Sequence, residues 1–153
     1  MDESIETTAN ADDLQEYLIF TVNSIDFGIE IGLVQEIIKL QPISPIPNAL
    51  NFCKGIINIR GTIVPVVDMR SKLGFPEQEY CERTCIIVVN LETELIGIVV
   101  DMVQEVIRVS DQELTDSPDF SRGESKNYTS RIIKLDGSIK QILDVNAVFQ
   151  VNA

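Results

Sequence analysis

A mainly β fold, arranged as two small closed barrels with a few short helices, is predicted by three features of the 153-residue chain. Apolar runs of strand length recur along it and are joined pairwise by turn chemistry. The longest of these runs, Ile86 to Val89 and Leu95 to Val100, are strand-sized and far too short to span a bilayer. A block that begins at Phe27 is repeated from Ile96, so each half of the chain is expected to form one barrel.

Through residue 16 the chain carries Asp2, Glu3, Glu6, Asp12, Asp13 and Glu16 and no basic residue, so residues 1–14 read as a solvated acidic tail and 15–153 as the folded domain. Tyr17 to Val22 and Phe27 to Ile31 are β-rich runs around Asn23-Ser24-Ile25-Asp26, which predicts a hairpin. Leu33, Val34, Ile37 and Ile38 then recur at helical spacing over about two turns, ahead of Pro42, Pro45 and Pro47, which forbid any continuation. Strands are expected at Gly55 to Ile59 and Thr62 to Val66, at Cys85 to Asn90 and Leu95 to Val100, and at Arg131 to Leu135 and Ile139 to Leu143. Asp136-Gly137 is the preferred chemistry for a two-residue hairpin, because both central positions can require positive φ. Ser110 to Asn127 is polar and acidic and contains Pro118 and Gly123, so it reads as a long surface loop. Asp144 is placed to cap a closing helix that runs to Phe149.

The repeat aligns Phe27 to Lys39 with Ile96 to Arg108 without gaps, with conservative apolar exchanges. Ile59-Arg60-Gly61-Thr62-Ile63 echoes Leu135-Asp136-Gly137-Ser138-Ile139, and Val66-Val67-Asp68 echoes Ile142-Leu143-Asp144. Each half therefore runs hairpin, short crossing element, hairpin, short helix. About five short strands with a crossing element favour closure into a barrel, which removes the sheet edges. Two such barrels side by side would share apolar faces.

Composition excludes several function classes. With 12 basic against 24 acidic residues the net charge is −12, and a polyanion is repelled at long range. An OB-type nucleic-acid binder also needs basic and aromatic residues on one face, whereas Trp is absent and aromatics are 6% of the chain. The absence of histidine removes His-based triads, a phospho-accepting histidine and the commonest general base. Gly55 to Thr62 lacks the lysine of a phosphate loop, and Asp12-Asp13 precedes the first strand with no alternating βα pattern after it, unlike a receiver domain. Cys53, Cys81 and Cys85 are odd in number and backed by no histidine, so they read as idle or buried thiols, with no metal and no cofactor implied. An acidic N-terminus without an apolar run predicts no targeting segment and a cytosolic protein. Against that acidity, Lys39, Lys54, Arg60, Arg70 and Lys72 outnumber Asp68 within 39–72 and predict a local positive patch.

The stretch from Gly55 to Arg70, Gly-Ile-Ile-Asn-Ile-Arg-Gly-Thr-Ile-Val-Pro-Val-Val-Asp-Met-Arg, resembles the motif of CheW-like domains, with an apolar frame and polar residues at fixed places. The likeness runs from about Gln15 to Phe149 and takes in Val34-Gln35-Glu36-Ile37, Gly97 to Asp101 and Pro118-Asp119-Phe120. It implies two five-stranded SH3/OB-like barrels around a common hydrophobic core. It also implies a non-enzymatic adaptor, monomeric when alone, that couples the cytoplasmic tips of methyl-accepting chemotaxis receptors to the regulatory domain of the histidine kinase CheA. Such a protein would be cytoplasmic and recruited to receptor arrays at the inner face of the membrane, without inserting into it. A CheW-like adaptor of a non-flagellar, for example pilus-linked, array is the alternative within the class. A stand-alone small-ligand or regulatory binding barrel is the alternative outside it, weakened because no polar cluster converges in the sequence. The same domain also occurs fused to kinases and receivers, and the length of this chain favours the single-domain adaptor.

Arg60 is expected at a hairpin tip where the second half has Asp136, a better turn former, which hints at a contact role. Glu36 is its expected ion-pair partner. By resemblance, a receptor groove between the barrels takes in Ile31, Val34, Glu36, Ile37, Arg60, Cys85, Gly97, Val103 and Val106, an aliphatic floor with a polar rim suited to a helical hairpin. Phe120 has few apolar neighbours in its acidic loop, and with Asp119 it matches the family's second kinase contact around a ring.

Overall fold

The computed structural model describes residues 14–118 and 128–149. In chain order the strands are β1 (Gln15–Val22), β2 (Ile25–Glu30), β3 (Val34–Lys39), β4 (Cys53–Ile59), β5 (Thr62–Asp68) and β6 (Cys85–Leu91). They continue as β7 (Glu94–Val100), β8 (Met102–Val109), β9 (Leu114–Asp116), β10 (Thr129–Leu135) and β11 (Ser138–Leu143). Two short α-helices, Met69–Lys72 and Val145–Val148, follow β5 and β11. The described chain forms two compact units. One, named here for Arg60, gathers Phe20–Ile25 and Gly32–Gln104, and the other, named for Asp136, gathers Asp26–Ile31 with the described residues up to Ile19 and from Glu105 onward.

The expected strands and hairpins form, and the predicted helix at 33–38 does not. Only Ile31–Leu33 makes a 3-10 turn, and Val34–Lys39 is β3, paired antiparallel with β6. Three of its six residues, Val34, Ile37 and Ile38, are β-branched and fit a pleated surface. For so short an apolar run, pairing with β6 outweighs a spacing that suits a helix equally well. The repeat mate of this segment is likewise a strand, β8. At the first hairpin, Asn23 and Ser24 alone make the turn, both with positive φ, of 55° and 66°.

In the Arg60 unit the sheet order is β3-β6-β7-β5-β4. Ser44, downstream of β3, exchanges backbone hydrogen bonds with Ile56 of β4 at 2.9 and 2.8 Å. The chain leaving one edge of the sheet thus bonds to the other edge, and the sheet closes on a core of Ile57, Ile59, Val64, Val66, Ile86, Val88 and Val99. Closure explains Gly55: at φ 143° a side chain is strained, and a Cβ there would lie 2.0 Å from Ser44 O.

The other sheet, which holds β9, β10 and β11 of the Asp136 unit, has the order β8-β1-β2-β11-β10-β9, six strands rather than the five expected. The extra strand comes from the segment read as a surface loop. Ser110 N donates to the Glu113 carboxylate at 2.9 Å, fixing a 3-10 turn over Asp111–Glu113, and Leu114–Asp116 then pairs with β10. Leu114 supplies the reason, since it is buried with Tyr17, Ile19, Val109, Ile133 and Ile142 and draws its segment onto the sheet. The part of that loop from 119 to 127 lies outside the described residues.

The repeat is geometric as well as sequential. Gly97 of β7 lies opposite Val66 in a parallel pairing, and its mate Gly28 of β2 lies opposite Ile142, the mate of Val66. A bulge between Cys53 and Gly55 recurs between Thr129 and Arg131. Both turn pairs, Arg60-Gly61 and Asp136-Gly137, have positive φ. Asp68 and Asp144 each cap the helix that follows, accepting from Arg70 N and Ala147 N.

Candidate functional site

Asn58 begins the exposed tip of the β4–β5 hairpin by accepting a hydrogen bond from Gly61 N at 2.7 Å, which ties the turn without help from the Arg60 side chain. Arg60, at φ 48°, is therefore held left-handed by its neighbours rather than by its own chemistry. Its side chain is 73% exposed and pairs with the Glu36 carboxylate, itself 27% exposed, as expected from the sequence. Because Glu36 is on a strand rather than a helix, period two separates it from its neighbour. Glu36 lies opposite Val88 on the core side, while Ile37, opposite Ile87, faces outward with 44% of its surface exposed. Ile63, just past the tip, is 57% exposed. The sequence reading did not single it out, although alternation along β5 against buried Val64 and Val66 carries that signal.

A second contact joins predicted residues in the same unit: the backbone N–H of Val103 hydrogen-bonds the half-buried Cys85 thiol. Burial nonetheless pushes that thiol above its ordinary range. Val34 is half-buried near the start of β3. Gly97 is buried, and a Cβ there would come within 3.0 Å of Ile86 Cγ2, so its part is close packing beneath β6. Ile31 and Val106 belong to the Asp136 unit, the first half-buried and the second 46% exposed. Asp119 and Phe120 lie outside the described residues.

The expected positive patch is smaller than its sequence suggests. Arg70 is buried, 7% exposed, and ion-paired with Asp101. Lys72 lies over the Phe52 ring at 4.1 Å and Lys54 near the Tyr80 ring at 5.9 Å, so each spends part of its charge on an aromatic face. Tyr80 in turn donates to Asp68 Oδ2 at 3.0 Å, and burial, then the Asp68 charge, hold its phenol well above the ordinary range. Cys81 is exposed, and the Arg83 backbone N–H followed by the Thr84 hydroxyl lower its thiol. Among the described residues no group of three or more His, Cys, Asp or Glu could hold a metal ion, and no helix is long and apolar enough to cross a membrane. What the Arg60 unit offers is thus an ion pair on a strained hairpin tip with exposed aliphatics on its strands, a surface suited to recognition.

Known proteins share this chain's sequence and shape. It is 34% identical over 131 residues to the chemotaxis protein CheW of Klebsiella aerogenes, covering 86% of this chain and 79% of that one. It is 30% identical over 134 residues to chemotaxis protein CheW of Bacillus subtilis, covering 88% and 86%. The crystal structure of the scaffolding protein TtCheW from Thermoanaerobacter tengcongensis superposes with a TM-score of 0.82 at 28% identity, covering 90% of this chain and 94% of that one. The family model described as CheW-like domain matches residues 16–153, which include the whole repeat and the motif that ends in buried Arg70, and so the chain belongs to the CheW-like domain family.

Proposed function

We propose that this protein is a non-enzymatic adaptor that binds the helical cytoplasmic tips of methyl-accepting chemotaxis receptors and the regulatory domain of CheA, bringing kinase activity under receptor control. The observation that carries the reading is the Arg60–Glu36 pair on an exposed, left-handed hairpin tip. An exposed ion pair stabilises by about 1 kcal/mol at most, so a strained arginine there is better accounted for by recognition than by folding. Exposed Ile37, with Val34, Cys85 and Val103, supplies the aliphatic part of the surface in that unit, and Ile31 and Val106 extend the set in the other. A helix presents this kind of mixed apolar and polar face. Asp119 and Phe120 complete the reading as a further kinase contact, on the strength of their motif alone.

Relatives named for chemotaxis and scaffolding support the partner class. The protein would act in the cytoplasm at receptor arrays, with 15–153 as the binding domain and 1–14 as an acidic tail. The test is reconstitution with kinase and receptor-tip fragments: the protein should raise receptor-dependent autophosphorylation. A kinase indifferent to its addition, or phosphate release from ATP by the protein alone, would sink the reading.

A further inference from the structure

Arg70 ends the family motif, yet it behaves unlike a surface arginine. Its Nε and one terminal nitrogen donate to the two Asp101 oxygens at 3.1 and 2.8 Å, and the other terminal nitrogen donates to Asn23 Oδ1 at 3.3 Å and Pro76 O at 2.9 Å. Asp101 also accepts from Asn23 N at 2.8 Å, and its own N–H donates to Thr21 O at 3.0 Å. One guanidinium therefore gathers the β1–β2 turn, the bend between β7 and β8, and the segment that follows Met69–Lys72. All of these residues lie in the Arg60 unit.

Two of the gathered segments deliver candidate recognition residues. Val103 stands two positions past Asp101, and Cys85 follows the segment that starts at Pro76 and is held again where Tyr80 donates to Asp68. The two residues meet through the Val103 N–H and the Cys85 thiol. Between their segments, Tyr80, Arg83, Thr84, Asp101 and Met102 border an open cleft of about 550 Å³, crossed where Arg83 donates to Met102 Sδ at 3.6 Å.

We propose that Arg70 is a positioning residue for receptor recognition: through Asp101 it sets where Val103 sits against Cys85, and it touches no partner itself. This rests on the adaptor reading, in which those two residues meet the receptor. Asp101→Asn puts an NH2 group against donors from Arg70 or Asn23 while keeping size and shape. Its dissociation constant for a receptor-tip fragment should rise about tenfold or more, with kinase-fragment binding within about twofold of the parent and faster amide exchange at 102–104. Adding Asn23→Asp returns a carboxylate to Arg70 from the neighbouring turn. The double variant should regain its melting temperature but not its receptor affinity, since the bend is still held by an amide. Recovery of both together, or a folded Asp101→Asn protein that binds the tip like the parent, overturns the proposal. If neither folds, Arg70→Lys is read by the same assays, and failure of all three to fold makes Arg70 a folding residue and also overturns it. A parent that does not bind the tip defeats the adaptor reading instead, and exchange at 102–104 then decides whether the hub fixes this strand.

Discussion

Replacing Arg60 by Asn separates recognition from folding more cleanly than charge reversal, because two opposing terms can be weighed from the structure. The lost ion pair is exposed, 73% on the arginine and 27% on the glutamate, so after solvent screening its loss costs at most about 1 kcal/mol. Against that, Arg60 sits at φ 48°, a left-handed conformation that costs an ordinary L-residue about 1–2 kcal/mol and that Asn adopts more readily. The tie from Asn58 to Gly61 N does not involve the Arg60 side chain and survives the change. Stability should therefore hold or rise by up to about 1 kcal/mol, a melting shift of about 2–4 °C for a chain of this size. Receptor-tip binding, measured by titration calorimetry on the same samples, should fall. A melting temperature lowered by more than about 4 °C would show that the pair is structural. Unchanged binding would remove Arg60 from the recognition surface.

Three further outcomes test the fold and its thiols. Gly55→Ala should destabilise by more than about 3 kcal/mol or prevent folding, because its Cβ meets the Ser44 carbonyl oxygen at 2.0 Å and the closing bridge must open; a melt near the parent's would refute barrel closure at that point. The Tyr80 phenol keeps its proton in the folded state above its ordinary value of 10.0, through burial and then the Asp68 charge. Its stabilising effect is therefore complete below about pH 10 and is lost as pH rises beyond that, so Tyr80→Phe should flatten the alkaline limb of a stability–pH curve, and a limb of unchanged slope would refute the coupling. Cys81, exposed with its thiol lowered, should be alkylated well before Cys85, whose thiol burial raises; peptide mapping after brief iodoacetamide treatment at neutral pH reads the order.

What was legible in the sequence was mostly set by local chemistry. Asp136-Gly137 announces its hairpin because few other residues accept two positive φ values, and Asp144 announces its helix because a carboxylate satisfies an orphan N–H. The repeat registered whole, even to the glycine facing Val66 or Ile142. Where partners distant in sequence decide, reading failed. Val34–Lys39 has a helix-compatible spacing, and only pairing with β6 makes it a strand. Leu114–Asp116 is too short and polar to read as a strand without β10 beside it. Among the candidate site residues, Arg60 and Glu36 were legible as a pair because turn chemistry exposed the arginine as misplaced. Arg70 was not, since burial beside Asp101, 31 residues away, removes it from the surface to which its charge assigned it.

The two halves also show where function can diverge on a duplicated frame. The bulge, the left-handed turn, the capping aspartate and the glycine that faces Val66 or Ile142 recur in both, so these are the requirements of the architecture. At the tip the frame asks only for a residue that tolerates positive φ. One half answers with Asp136, which suits the turn, and the other with Arg60, which does not. The mate of Glu36 is Glu105, so the Asp136 unit opposes two acids by repeat position where the Arg60 unit has a complementary pair. A frame that keeps its geometric residues and changes its charges at a single exposed tip has conserved the fold and differentiated the surface. The half whose tip residue works against local turn chemistry is the half to which the proposed receptor contact is assigned, so the left-handed Arg60 is the feature that proposal has to account for.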